Sequence, residues 1–217
     1  MGFGITYKVS DVADIVKRTF GDESGVQVTD ADILRWVNAG QIEIVSNNQV
    51  LKAVGTKLSV KDQYAYSLSA DMDIQYINSI HYDGVKLAFK SFHDAELYLE
   101  SEDPQRTVTG TPIFWYEWAG EISLYPTPSE SDKEIKVYFN PLPAKKTSLT
   151  DDLSLPDNYY NRLVEYVLAQ AYEMDENFSA YQMKREQFQN SLMGMSNDEN
   201  QAQVDTYPTI TVRPEDM

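Results

Sequence analysis

Apolar positions along the chain alternate between a helical and a strand period, and each change marks a different kind of element. Near the start, Ser10-Asp11-Val12-Ala13-Asp14 reads as a helix entrance with Ser10 as N-cap and acids in the first turn. That helix is expected to reach about Phe20 and stop at Gly21. A second entrance follows at Thr29-Asp30-Ala31-Asp32, where Thr29 and Asp32 have capping-box spacing. Ile33, Trp36, Val37, Gly40 and Ile44 then recur at helical spacing, which predicts a helix to about Asn47. A glycine inside that stripe predicts close approach of another element at Gly40.

From about Thr56 the period becomes that of strands. Tyr64–Leu68 and Ile74–Ile80 read as strands, and Asp83-Gly84 is a two-residue hairpin turn. Ser91 caps a short helix to about Leu99, a polar loop covers residues 100–110, and Lys133–Asn140 supplies another strand. After a loop bracketed by Pro141, Pro143 and Pro156, the helical period returns. Leu163, Val164, Val167, Leu168, Ala171 and Met174 form one stripe. It slips in phase at Asp175-Glu176-Asn177 and continues through Phe178, Tyr181, Phe188 and Leu192, predicting two helices or one kinked helix.

The fold class read from this order is α+β. N- and C-terminal helices form a bundle, an antiparallel β module is inserted between them, and an extended tail closes the chain. The expected parts are residues 1–55, 56–142, 143–195 and 196–217, the last extended or flexible because it holds few large apolar residues.

The β region contains "TGTPIFWYEWAGEISLYPTP", from Thr109 to Pro128. A turn at Ala119-Gly120 pairs Trp118 with Glu121, Tyr116 with Ser123 and Phe114 with Tyr125 on one face. The other face carries Trp115 with Leu124 and Glu117 with Ile122, with Ile113 beyond. Ile113, Trp115, Ile122 and Leu124 are the expected core. The first face mixes aromatics with Glu and Ser, as in a half-wet contact surface, so Tyr116, Trp118 and Tyr125 are candidate partner contacts. In the tail, Ile210 and Val212 alternate with threonines between Pro208 and Pro214, as in a strand added to another sheet. Tyr207, Ile210, Val212 and Arg213 are therefore further contact candidates.

Composition narrows what such surfaces do. Of the 217 residues, 42% are hydrophobic, enough for a core. No apolar run approaches a membrane span and the N-terminus lacks a signal-peptide pattern, so a soluble protein outside the secretory route is expected, with no membrane partner. There is no cysteine, which removes disulfides, thiol nucleophiles and thiolate metal sites. The two histidines, His81 and His93, have no local metal spacing. Eighteen basic against 34 acidic residues give a net charge of −16, with the basic ones scattered apart from Lys145-Lys146 and Lys184-Arg185. Gripping nucleic acid through phosphates is disfavoured, whereas an acidic surface lets DNA slide past. No P-loop, dinucleotide fingerprint, nucleophile elbow or zinc-protease motif occurs. Asp71-Met72-Asp73 reads as solvated turn acids, and Glu165 and Glu173 as polar-face residues of a helix. No catalytic residue, metal or cofactor is expected.

The order "TDADILRWVNAGQIEIV", "YSLSADMDIQYINSIHYDGVKL", "TGTPIFWYEWAGEISLYPTP", "IKVYFNPLPA" and "LPDNYYNRLVEYVLAQAYEMDENFSAYQMKREQF" resembles head-to-tail adaptor proteins of tailed bacteriophages. The match covers about residues 28–192, most specifically the Thr-Gly-Thr-Pro hairpin ending in Leu-Tyr-Pro-Thr-Pro and the Leu-Pro-Asp helix entry. The resemblance implies a structural virion protein at the head–tail interface, in a ring, usually twelve-fold, beneath the portal. Its implied partners are the portal protein, a lower tail or nozzle protein, and further copies of itself, with DNA passing through without specific binding. The rival reading is a carbohydrate- or peptide-binding module using Tyr116, Trp118 and Tyr125. A weaker rival is an enzyme built on His81 or His93 with nearby carboxylates.

Overall fold

The structure, a computed structural model, describes residues 6–68 and 72–203, with side chains described as far as residue 194. In chain order the elements are α1 (Val9–Phe20), α2 (Asp30–Asn48), β1 (Ala53–Leu58), β2 (Ala65–Ser67), β3 (Ile74–Tyr82), β4 (Val85–Lys86) and β5 (Ala88–Phe89). There follow α3 (Phe92–Glu102), β6 (Thr109–Gly110), β7 (Phe114–Trp118), β8 (Glu121–Tyr125), β9 (Thr127–Pro128), β10 (Glu134–Pro141), α4 (Tyr160–Met174) and α5 (Phe178–Gln203). The fold class is α+β, as the periodicities predict. Two compact units are present, one made of the chain up to Asn48 and from Lys145 onward, the other of Gln49–Ala144.

In the helical unit, α1 buries Val9, Val12, Ala13 and Val16 along one stripe. Its cap is Lys8 rather than the expected Ser10. The Asp11 carboxylate accepts from the Lys8 N–H at 2.7 Å, while Val9 and Ser10 donate to the carbonyls of Asp151 and Leu149. Those partners lie far off in sequence, so the first-turn donors need no hydroxyl cap. Gly21 ends the helix in the left-handed conformation, φ 89°. The next loop winds around Asp22, whose carboxylate accepts from the N–H groups of Val26, Gln27 and Val28 and from the Ser24 hydroxyl. At the start of α2, Thr29 and Asp32 make the reciprocal bonds their spacing predicts.

Helix α4 is covered on most sides, burying Leu163, Val164, Tyr166, Val167, Leu168, Ala169 and Ala171. Gly40 of α2 lies directly against it. The chain breaks at Asp175–Asn177, where Glu176 adopts φ 57° and the Asn177 side chain accepts from the Ala180 N–H to start α5. Phe188 and Leu192 of α5 are buried; Met174 and Phe178, expected on the same stripe, are largely exposed at the corner. Two helices are therefore present. The second passes Ser196, where an extended tail was expected to begin, and runs to Gln203. Residues 196–203 lack large apolar groups but also lack Gly and Pro, so nothing in them stops the helix that α5 has already begun.

In the other unit, one sheet has the order β1-β10-β3-β4 and a second the order β2-β8-β7-β5. Ile77, Ile80, Tyr82, Ile135, Val137 and Phe139 from the first pack with Tyr66, Trp115, Ile122 and Leu124 from the second in one core. The Asp83-Gly84 turn has φ 48° and 83°, as a type I′ hairpin requires. The expected all-antiparallel module carries two short parallel pairings, β5 with β7 and β6 with β9. The first follows from connectivity, since α3 is the crossover that returns the chain in the same direction. At the neck of the unit, Asn140 interrupts the regular register of β10 and β3 and is buried. Its amide donates to the carbonyls of Gln49 and Leu51, both at 2.8 Å, and its oxygen accepts from Asn78.

Candidate interaction surface

The β7–β8 hairpin has the register its turn predicts, from Phe114 opposite Tyr125 to Trp118 opposite Glu121. Ala119 and Gly120 adopt φ 52° and 79°, so the two-residue turn matches the twist of the strands. Trp115, Ile122 and Leu124 lie in the core between the sheets. Ile113 does not. It precedes β7, takes no part in that core and is 58% exposed.

The opposite face departs further from expectation. Tyr116 and Tyr125 are only 3% and 5% exposed, because α3 lies across them with Ala95 and Leu99 buried at the contact. Tyr98 meets Phe114 and Tyr125 edge-on at 5.4 and 5.6 Å, and Lys90 places its ammonium over Tyr98 and Phe114. Arg106 donates to the Tyr116 hydroxyl, pairs with Glu96 at 3.3 Å and lies over the Tyr64 ring. Burial pushes the Tyr125 hydroxyl above its ordinary range, with Asp103, Tyr98 and Glu102 adding to the effect. Burial also raises the Asp103 carboxyl, but the N–H groups of Val108 and Thr107, the Thr107 hydroxyl and Arg106 together hold it below the usual value. Tyr116 and Tyr125 are thus interior groups, and the half-wet contact face expected of them is corrected. The signal was present in α3, whose Phe92, Ala95 and Leu99 recur at helical spacing and need a surface to cover.

Trp118 alone of the three hairpin candidates reaches solvent, 61% exposed at the tip and stacked on Phe92 at 4.3 Å. Glu121 is its cross-strand neighbour, and the exposed side of α3 carries His93, Asp94, Leu97 and Glu100. Tyr207, Ile210, Val212 and Arg213 lie outside the described residues.

A second surface, which the sequence reading did not single out, is the outer face of the first sheet. Direct pairing aligns Thr56, Lys136, His81 and Lys86 in one row across all four strands. The adjoining row brings Val54 opposite Tyr138, whose ring lies 4.8 Å from His81. Val54 and Leu58 are each more than half exposed.

The two histidines sit on different elements, His81 on β3 and His93 on α3. Among the described residues no group of three His, Cys, Asp or Glu could hold a metal ion. Asp71 lies outside the described residues. Glu173 is exposed, bonded to Gln170, as a polar-face residue should be, but Glu165 is only partly exposed, with one carboxylate oxygen shut from solvent and without a partner. Arg185 is held bidentate by Glu43 at 2.6 and 3.1 Å over the rings of Tyr166 and Phe188. Lys146 exchanges both backbone bonds with the Asn38 side chain. Among the described residues no helix is long and apolar enough to cross a membrane.

Compared with known families, the chain matches the family described as SU10 adaptor protein over residues 7–213. A comparison with curated proteins gives no match.

Proposed function

This chain belongs to the SU10 adaptor protein family, a family of structural bacteriophage adaptors, and from that premise we propose that it forms a closed ring beneath the portal. The coarse role is that of a structural adaptor at the head–tail interface of the virion. In the finer reading, about twelve copies extend the DNA channel and present the docking surface for a lower tail or nozzle protein. The observation that carries the proposal is the reach of the family match, which spans both compact units. The chemistry supports it. Tyrosines and carboxylates are invested in packing and loop closure, and the net charge of −16 suits a lumen that DNA crosses without being held.

The tail beyond Gln203 attaches the subunit to a neighbour or to the portal, through Tyr207, Ile210, Val212 and Arg213. A separate carbohydrate- or peptide-binding role is not favoured, since two of the three hairpin aromatics it needs are interior.

Cryo-electron microscopy of intact particles tests the reading. Density for this chain is expected as a ring between portal and lower tail, and its absence from purified particles overturns the proposal. Several rings of exposed Lys or Arg around the lumen would contradict the channel-lining role.

A further inference from the structure

The inserted unit carries two exposed surfaces of opposite character. One is the outer face of the first sheet, where Lys136, His81 and Lys86 run in line and Val54, Leu58 and Tyr138 surround them. Glu134 is the carboxylate paired with Lys136 there, at 3.0 Å. The other takes in the hairpin tip and the exposed side of α3: Phe92 stacks on Trp118, Glu121 stands opposite Trp118, and α3 exposes Asp94, Leu97 and Glu100. The cations beside this second surface, Lys90 and Arg106, are turned onto the rings of Tyr98, Phe114, Tyr64 and Tyr116. The first surface therefore presents Lys86 and the Lys136–Glu134 pair among aliphatic side chains, and the second presents carboxylates with an exposed aromatic stack.

We propose that these two surfaces bind each other between neighbouring copies, the sheet face of one inserted unit receiving the hairpin tip and exposed α3 side of the next. Exposed apolar groups on each side supply the area to be buried. Charge selects the orientation. With a net charge of −16 on every copy, contact between two α3 surfaces sets carboxylate against carboxylate, whereas sheet face against α3 surface brings opposite signs together. Two different patches meeting in this way make a heterologous contact, which propagates head to tail and closes when the rotation between copies allows. The interface rests on the ring reading above and specifies which surfaces build the ring.

The experiment uses the full chain assembled on purified portal rings and imaged by electron microscopy. A sheet variant carries Lys86→Glu with Lys136→Glu, and a helix variant carries Glu100→Lys with Glu121→Lys. Melting temperatures check that each folds; where one does not, the single exposed replacements Lys86→Glu and Glu100→Lys take its place. Wild type is expected to form closed rings, and each variant alone to lose at least about tenfold in ring yield. An equimolar mixture is expected to recover, because alternating copies restore opposite charges at every contact. Wild-type rings that persist in both variants, or a mixture that fails to recover, overturn the interface and leave the ring standing. Wild type that forms no ring on the portal overturns the ring reading itself, and the interface with it.

Discussion

Gly40 of α2 and Tyr166 of α4 are in contact with no room between them: a Cβ on Gly40 would lie 2.7 Å from Tyr166 Cδ1 and 2.8 Å from Leu163 Cδ1. The two helices meet backbone against ring. Tyr166 has little freedom to retreat, since it is buried, packs edge-on against Phe188 at 5.3 Å and lies under Arg185. Gly40→Ala gains about 1 kcal/mol of helix propensity but adds an overpacking cost of about 1–3 kcal/mol, so a net loss of about 1 kcal/mol is expected. Gly40→Val, larger and β-branched, is expected to lose about 2–3 kcal/mol. Urea melts check both, and an unchanged midpoint for the valine variant would show that the helices separate easily.

The hairpin tryptophans should separate cleanly. Trp115 is buried between the sheets, so Trp115→Ala is expected to cost about 3–5 kcal/mol. Trp118→Ala removes a stacked but exposed ring and should cost about 0.5–1.5 kcal/mol. Its main effect is expected on assembly. Denaturant melts ranking the two the other way would mean that the hairpin faces are reversed.

Asp22 gives a pH signature. The Val28 N–H is the strongest influence on its carboxyl, followed by opposing burial and then by Gln27, Val26 and Ser24, and the balance lies below the ordinary value of 3.8. A carboxyl with a lowered folded-state pKa contributes stability that is fully present above the unfolded value. That contribution is lost as pH falls from about 3.8 through the folded value. Asp22→Asn offers an NH2 where the backbone already donates. It should melt lower than wild type at neutral pH and show a shallower fall in melting temperature on acidification. Parallel pH–melting curves for the two proteins would exclude Asp22 as a contributor.

Removal of residues 204–217 is expected to leave the melting temperature nearly unchanged, because the buried apolar residues described in both units all precede residue 195. Attachment to the portal should weaken. Undiminished occupancy of the truncated chain in particles would show that Tyr207, Ile210, Val212 and Arg213 are not an anchor.

The hairpin register was readable because a two-residue turn and a period of two leave no other alignment for Trp115, Ile122 and Leu124. Gly40 was readable for a similar reason, as a glycine in an apolar stripe has a purely steric meaning. The interior position of Tyr116 and Tyr125 was not, because it depends on where α3 lands after a loop and a crossover, a long-range matter that local alternation does not encode. The cap of α1 was misplaced likewise: its first donors are satisfied by Leu149 and Asp151, about 140 residues along the chain. The basic sheet row escaped notice because Lys86, His81 and Lys136 come from three strands, and only pairing puts them in line.

The neck of the inserted unit has a mechanical consequence. Ala53 stands opposite Phe139, so the entering and leaving strands part company at the same end of the β1–β10 pair. Tension applied there loads an antiparallel ladder by peeling, one rung at a time, the weak direction for a sheet. Asn140 sits at the point where peeling must start and fastens the entering strand twice, at Gln49 and Leu51. A load reaching the neck thus meets two hydrogen bonds from one side-chain amide sharing the force before any rung opens, and Asn140 works as the stitch that keeps the seam from running.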